Sequence, residues 1–426
     1  MGSLKGVDIQ RGTLGTNVVG AGDRVCGLLA TGVPVAADAG SAILGIDVGQ
    51  TVKLNSVKDA EAYGITQDYD AVNNVRVHRH ISEYFRIAGA GNTLHLMLYT
   101  GTPTDAFSES FGKKMIADAK GEIRNLAIAY NPPSDYVPTY INGLEQNVYE
   151  AIKSGQEFYD WTYETFRPCQ IILEGRGFNA TNVLAALDLR SITAGGGVLK
   201  AFKVSMCIAQ DYDYADSLND IGKKMADVGT MLGSVARRAV NENIGQVNDG
   251  DIMNTLKGNW LVAGLSNHKT IAEFDTELES LDEKGYIFAV SYDGYAGCFW
   301  NGDHTCTPIE KDEDGYFNEY TLSYGRVHDK SVRQLRTALL PHIKSTQPVD
   351  SETGKLPPAL AGYFESVGDD VFEKMEKARE ISAGKMTVDS NSDLLIVPRV
   401  LKVSFVVVPM GQIDEIKGYI NLKTNI

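Results

Sequence analysis

No apolar run in the 426-residue sequence approaches the roughly 18 residues that a membrane span needs. Residues 1–20 also lack the charged segment and following apolar segment of a secretory leader. These absences predict a chain that stays in the cytosol where it is made. Basic residues are few: 40 Lys and Arg stand against 55 Asp and Glu, a net charge of −15. Such a balance disfavours nucleic acid and anionic membranes as partners, because both select a basic footprint. Cysteine is rarer still. Cys26, Cys169, Cys207, Cys298 and Cys306 are odd in number and scattered, and three sit in apolar runs, which predicts reduced, buried thiols.

Catalytic and metal-binding signatures are equally scarce. There is no GxSxG, HExxH or DxDxDG element. Cys298, His304 and Cys306 have a metal-like spacing, but a structural zinc takes four ligands and no second pair follows, so they are expected in the core. His78 and His80 stand two apart and face different ways on a helix. His95 lies within an apolar strand and predicts a packed imidazole. Gly175 and Gly177 follow a strand, yet Ala180 occupies the third position of the dinucleotide fingerprint and no acidic residue stands at the right distance beyond it. Gly195, Gly196 and Gly197 lack the Lys-Ser/Thr pair of a phosphate loop and read as a hairpin or crossover tip. The acidic run 310–314 does not alternate its carboxylates as a calcium loop does, and reads as a solvated hairpin tip. No catalytic residue, cofactor or metal is therefore expected. The competing reading, an α/β hydrolase or nucleotide-binding enzyme, requires convergent carboxylates or a histidine in a pocket near Gly175.

What is present is a chain that is 43% hydrophobic and long enough for more than one core. Strand-like apolar runs stand at 25–31, 43–48, 94–99, 123–130, 169–173, 202–209, 260–265 and 401–408. Helical patterns stand at 56–63, 72–88, 145–158, 182–187, 225–241, 270–281, 324–343 and 369–381. Asp293-Gly294 predicts a tight turn between strands 286–291 and 297–300. Strands alternating with helices predict an α/β layer with a mainly parallel sheet.

Several segments, taken in order, resemble the contractile tail-sheath family of bacteriophages and related injection systems. HISEYFRIAGAGNTLHLMLY (80–99) resembles the family's aromatic helix, glycine turn and strand. LESLDEKGYIFAVSYDGYAGCFWNGDHT (278–305) is similar to its helix, glycine stop, strand and aromatic-Gly strand, although Phe299-Trp300-Asn301-Gly302 departs from the usual Trp, Gly and Arg-bearing strand. Residues 324–341 resemble the helix that ties that domain together, and VLKVSFVVVP (400–409) with IDEIKGYINL (413–422) resembles the closing segment. The resemblance implies an α/β, multidomain subunit with mixed sheets flanked by helices and extended N- and C-terminal arms. It implies a non-enzymatic structural protein that forms stacked, sixfold rings around an inner tube and contracts to drive the tube through a target envelope. The implied partners are further copies of the chain, a tail tube protein, and baseplate and tail terminator proteins. The implied location is the tail of a virion assembled in the host cytoplasm. A tube or baseplate component is the alternative within that machinery.

The expected division is an arm at 1–23, an N-terminal part of the sheath core at 24–100, an additional outward-facing α/β domain at 101–250, a C-terminal core at 251–412 and an arm at 413–426. The tail alternates: Ile420, Leu422, Thr424 and Ile426 share one face of a strand, and Tyr419, Asn421, Lys423 and Asn425 the other. A terminal strand with one apolar face lies on its own sheet or adds to an edge elsewhere. Val7, Ile9 and Leu14 offer the same choice in the glycine-rich first segment. These seven apolar and Thr residues are the candidate contacts between subunits.

Overall fold

The computed structural model describes residues 21–179, 185–194, 196–274, 277–396, 399–420 and 422. The chain divides into two compact units, one ending at Arg333 and one beginning at Gln334.

The first unit is built on a seven-stranded sheet. Its order is Tyr286–Ile287, Val204–Cys207, Gln170–Glu174, Asn125–Ala129, Cys26–Thr31, Leu94–Tyr99 and Thr51–Leu54. Neighbours run parallel except at the last pairing, where Thr51–Leu54 is antiparallel to Leu94–Tyr99. Every residue of the Cys26–Thr31, Leu94–Tyr99, Asn125–Ala129 and Gln170–Glu174 strands is buried. A parallel sheet covered on both faces needs such unbroken apolar strands. The expected α/β class with mixed sheets and flanking helices is what the structure shows. Within residues 101–250, the strands Asn125–Ala129, Gln170–Glu174 and Val204–Cys207 belong to this sheet.

The Gln146–Glu164 helix packs on Gln170–Glu174, and the Val228–Arg237 helix packs on Asn125–Ala129 and against the Val77–Ala88 helix. Glycine decides that last contact. A Cβ on Gly229 would collide with the backbone of His80, and one on Gly233 would stand 2.8 Å from the Tyr84 carbonyl oxygen. The small residues of 225–241 thus let two backbones meet.

Several local expectations change. The continuous helix expected over 72–88 is two helices, Gln67–Asn73 and Val77–Ala88, because Asn74 takes a left-handed conformation (φ 53°) that ends the first. Asp70 then restarts the chain, its carboxylate accepting from the backbone N–H groups of His78 (3.0 Å) and Arg79 (2.9 Å). The run at 43–48 forms isolated bridges, with Gly45 at φ 73°, and the strand lies at Thr51–Leu54. The expected hairpin is present as Ala289–Tyr292 and Tyr295–Trp300, turning at Asp293-Gly294 with Tyr292 opposite Tyr295. Of the helix expected over 182–187, residues 182–184 lie outside the described residues. All five cysteines are free and buried, as expected.

In the second unit, the Pro358–Lys377 helix packs against the strand Ile381–Val388, which pairs antiparallel with Val403–Pro409. The helix begins eleven residues earlier than the expected 369, because Pro358 occupies the first helical turn, where a missing N–H costs nothing. Residues 381–388 form an unexpected strand. Among the described residues of 413–422 there is no strand.

Candidate assembly surface

Buried ionisable groups are the usual marks of chemistry, and two clusters in the first unit pair such groups with one another. Arg79 donates to Asp211 (2.9 Å) and Asp227 (3.1 Å), while Glu83 accepts from Thr230, Asn259, Trp260 and Arg86. Burial pushes the Asp227 carboxyl up to about 6. Lys203, fully buried, donates to Asp329 (2.9 Å) and to the Gly325 carbonyl (3.0 Å); Tyr159 and Gln170 donate to the same carboxylate. Burial opposes that charge, but Lys203 and these hydrogen bonds hold Asp329 well below the usual carboxylate range.

The loop after the Gln170–Glu174 strand is filled by its own side chains. Arg176 reaches Glu145 (3.3 Å), the Tyr130 carbonyl and the Ile221 carbonyl, and Glu174 accepts from the backbone of Tyr130 (2.6 Å) and Ala226 (3.0 Å). A small cavity of about 10 Å³, room for about one water, lies elsewhere, lined by Asp23, Arg124, Gln170, Val240, Arg326, Asp329 and Arg333. Its Asp23 is paired with Lys330 (2.7 Å) and Arg333 (2.6 Å). His304 lies between Arg190 (3.0 Å) and Asp282 (2.8 Å), and the neighbouring Cys298 and Cys306 are buried. Among the described residues no three His, Cys, Asp or Glu side chains group as a metal would need.

The second unit presents a different kind of site. The Pro358–Lys377 helix buries Ala361, Phe364, Gly368, Val371, Phe372 and Met375, an apolar stripe at helical spacing. This stripe meets Ile381, Met386 and Val388. A Cβ on Gly368 would collide with Met386, and one on Gly384 with Phe372, so helix and strand are in close contact. Three carboxylates on the helix complete the contact. Glu365 accepts from the Val388 N–H (3.0 Å), Asp369 from Met386 (2.9 Å) and Glu376 from Gly384 (3.0 Å).

The Val403–Pro409 strand is covered much less. No residue of it is buried: Phe405 is 39% exposed, Val406 43% and Val408 50%. Its far edge has no strand beside it among the described residues. The segment that follows is apolar and bare, with Ile413, Ile416 and Tyr419 exposed, Ile420 at 95% and Leu422 at 97%. Of the seven candidate contact residues, Ile420 and Leu422 are therefore exposed and in no strand, while Val7, Ile9, Leu14, Thr424 and Ile426 lie outside the described residues. The helix carboxylates were missed in the sequence because Glu and Asp in a charged helix read as its solvated face. The signal that could have found them is their spacing: 365, 369 and 376 fall on one side of the helix, beside the apolar stripe.

Residues 5–304 match the N-terminal domain of DUF2586, and residues 320–426 match its C-terminal domain. The chain belongs to the DUF2586 family. The second unit and the exposed tail of this DUF2586 chain both fall within the C-terminal family domain. No curated protein matches the sequence. Twenty-two chains of solved structures are similar in fold. One is from the cryo-EM structure of the anti-feeding prophage baseplate, sixfold symmetrised, with a TM-score of 0.57, 13% identity, and all of both chains covered. At that identity the likeness is one of fold.

Proposed function

We propose that this DUF2586 chain is a structural subunit of a contractile injection system, and within it a sheath protein. Subunits stack as sixfold rings around an inner tube and contract as contacts between them are exchanged for better ones. The observation that carries the reading is the end-to-end likeness of fold to a chain of a prophage baseplate assembly. The second unit supports it: a strand with an open edge is followed by a tail whose apolar residues have nothing to cover them. Covering such residues is worth about 25 cal/mol per Å², a gain not taken by the described tail residues Ile413, Ile416, Tyr419, Ile420 and Leu422. Adding the tail to the sheet edge of a neighbouring copy supplies the cover and links the lattice. The remaining partners on this reading are the tube, baseplate and terminator proteins of a phage-like particle, and the chain performs no catalysis. The filled loop at Arg176 speaks against the enzyme alternative.

A baseplate component is the second reading, favoured by the kind of particle from which the similar chain comes. Deletion of residues 413–426 tests the linkage that the sheath reading needs. The truncated chain is expected to remain a folded monomer that forms no tubes under the electron microscope. Tubes of normal length from it would end the tail-exchange account.

A further inference from the structure

The two edges of the hairpin in the second unit are unequal. In an antiparallel pair the N–H and C=O of one residue point the same way, and alternate residues point opposite ways. Gly384, Met386 and Val388 give their N–H groups to Glu376, Asp369 and Glu365, so all three point away from the Val403–Pro409 strand. Their partners across the ladder are Val407, Phe405 and Val403. These three in turn point away from Ile381–Val388, toward the edge that has no neighbour among the described residues.

A strand arriving at the 381–388 edge would need those three N–H groups as donors to its own carbonyls. Each is already held by a carboxylate, a charge-assisted bond stronger than the one offered in exchange. The helix that carries the carboxylates also packs against this strand. The N–H and C=O groups of Val403, Phe405 and Val407 have no hydrogen-bond partner among the described residues, and the half-exposed Phe405 stands on the same face as the buried Met386. An added strand there extends a face already half built.

We infer that Glu365, Asp369 and Glu376 close one edge of the hairpin, so that the tail of a second copy, residues 418–426, adds only along Val403–Pro409. This rests on the tail-exchange reading above and gives it a direction. Each subunit then accepts one C-terminal tail on this hairpin and donates one. Open edges invite uncontrolled pairing, and covering all but one restricts where growth can occur.

Cysteine cross-linking in the full chain tests this, because the five native cysteines are buried. Val406 and Lys385 lie on the same face of the hairpin, opposite one another on its two strands. Facing side chains on adjacent strands have Cβ atoms about 4.5–5.5 Å apart, whereas a strand further the separation is about 9–10 Å, beyond disulfide reach. Tyr419 and Asn421 share the tail's other face, which falls on the Val406 side when Ile420 and Leu422 extend the Phe405 face. Val406→Cys, combined in turn with Tyr419→Cys and Asn421→Cys, is expected to give a ladder of intermolecular disulfides in assembled material. Lys385→Cys with the same tail cysteines is expected to give none, and to gain them once Glu365→Ala, Asp369→Ala and Glu376→Ala are added. Cross-links from Lys385→Cys with the carboxylates intact would overturn the inference. So would a disulfide within a single chain, or a triple variant that still cross-links only at position 406. Normal tubes from the 413–426 deletion would instead sink the underlying tail-exchange reading.

Discussion

Removing the Asp329 carboxylate would leave the Lys203 ammonium, fully buried and 2.9 Å away, without its principal counter-ion. Asp329→Ala is therefore expected to cost about 3–5 kcal/mol in urea unfolding of the chain, the usual loss when one partner of a buried pair is removed. His80 gives a different signature. Burial and the adjacent Arg79 push its imidazole down to about 3. The unfolded chain takes up a proton below about pH 6.5, which the folded chain refuses until about 3, so this residue removes stability as pH falls through that window. Glu174, pushed up to about 7 by burial, acts oppositely, because its folded form takes up a proton first. The His80 contribution is thus isolated by difference: the stability gap between wild type and His80→Gln should narrow from pH 7 to pH 4, and a constant gap would contradict it. The run 202–209 was legible as a strand, and Lys203 within it was not singled out. Nor was its partner, 126 residues away, because nothing local pairs them.

At the scale of elements, the central strands were readable because burial on both faces leaves mostly apolar runs, with His95 the one polar residue inside Leu94–Tyr99. The Ile381–Val388 strand was not. Ile381, Met386 and Val388 are its buried residues, and a register shift between Ile381 and Ala383 breaks the alternation that would have marked it. The helical pattern of 225–241 was visible, but the reason for its small residues lies in the facing helix. Gly229→Ala places a methyl group against the His80 backbone and is expected to cost about 1–3 kcal/mol in urea unfolding, as overpacking does. An unchanged midpoint would mean that the helices part without penalty. The tail 413–426 was legible as alternation alone. A strand forms only when it has a partner, and no such pairing is made by the described residues of 413–422 within this chain.

The chain joins a first unit built on one seven-stranded sheet to a second unit whose hairpin edge and tail are uncovered among the described residues. Order along the chain carried the tail-sheath resemblance more than any one motif did, and the family and fold matches likewise span nearly all of it. An acidic surface, at a net charge of −15, keeps such subunits apart until many short contacts outweigh the repulsion, so assembly should strengthen with salt and concentration. The most direct measurement is electron microscopy of the purified full-length chain at high concentration. The account predicts hollow tubes of stacked sixfold rings. Monomers that persist at every concentration and salt, or single rings that never stack, would contradict it.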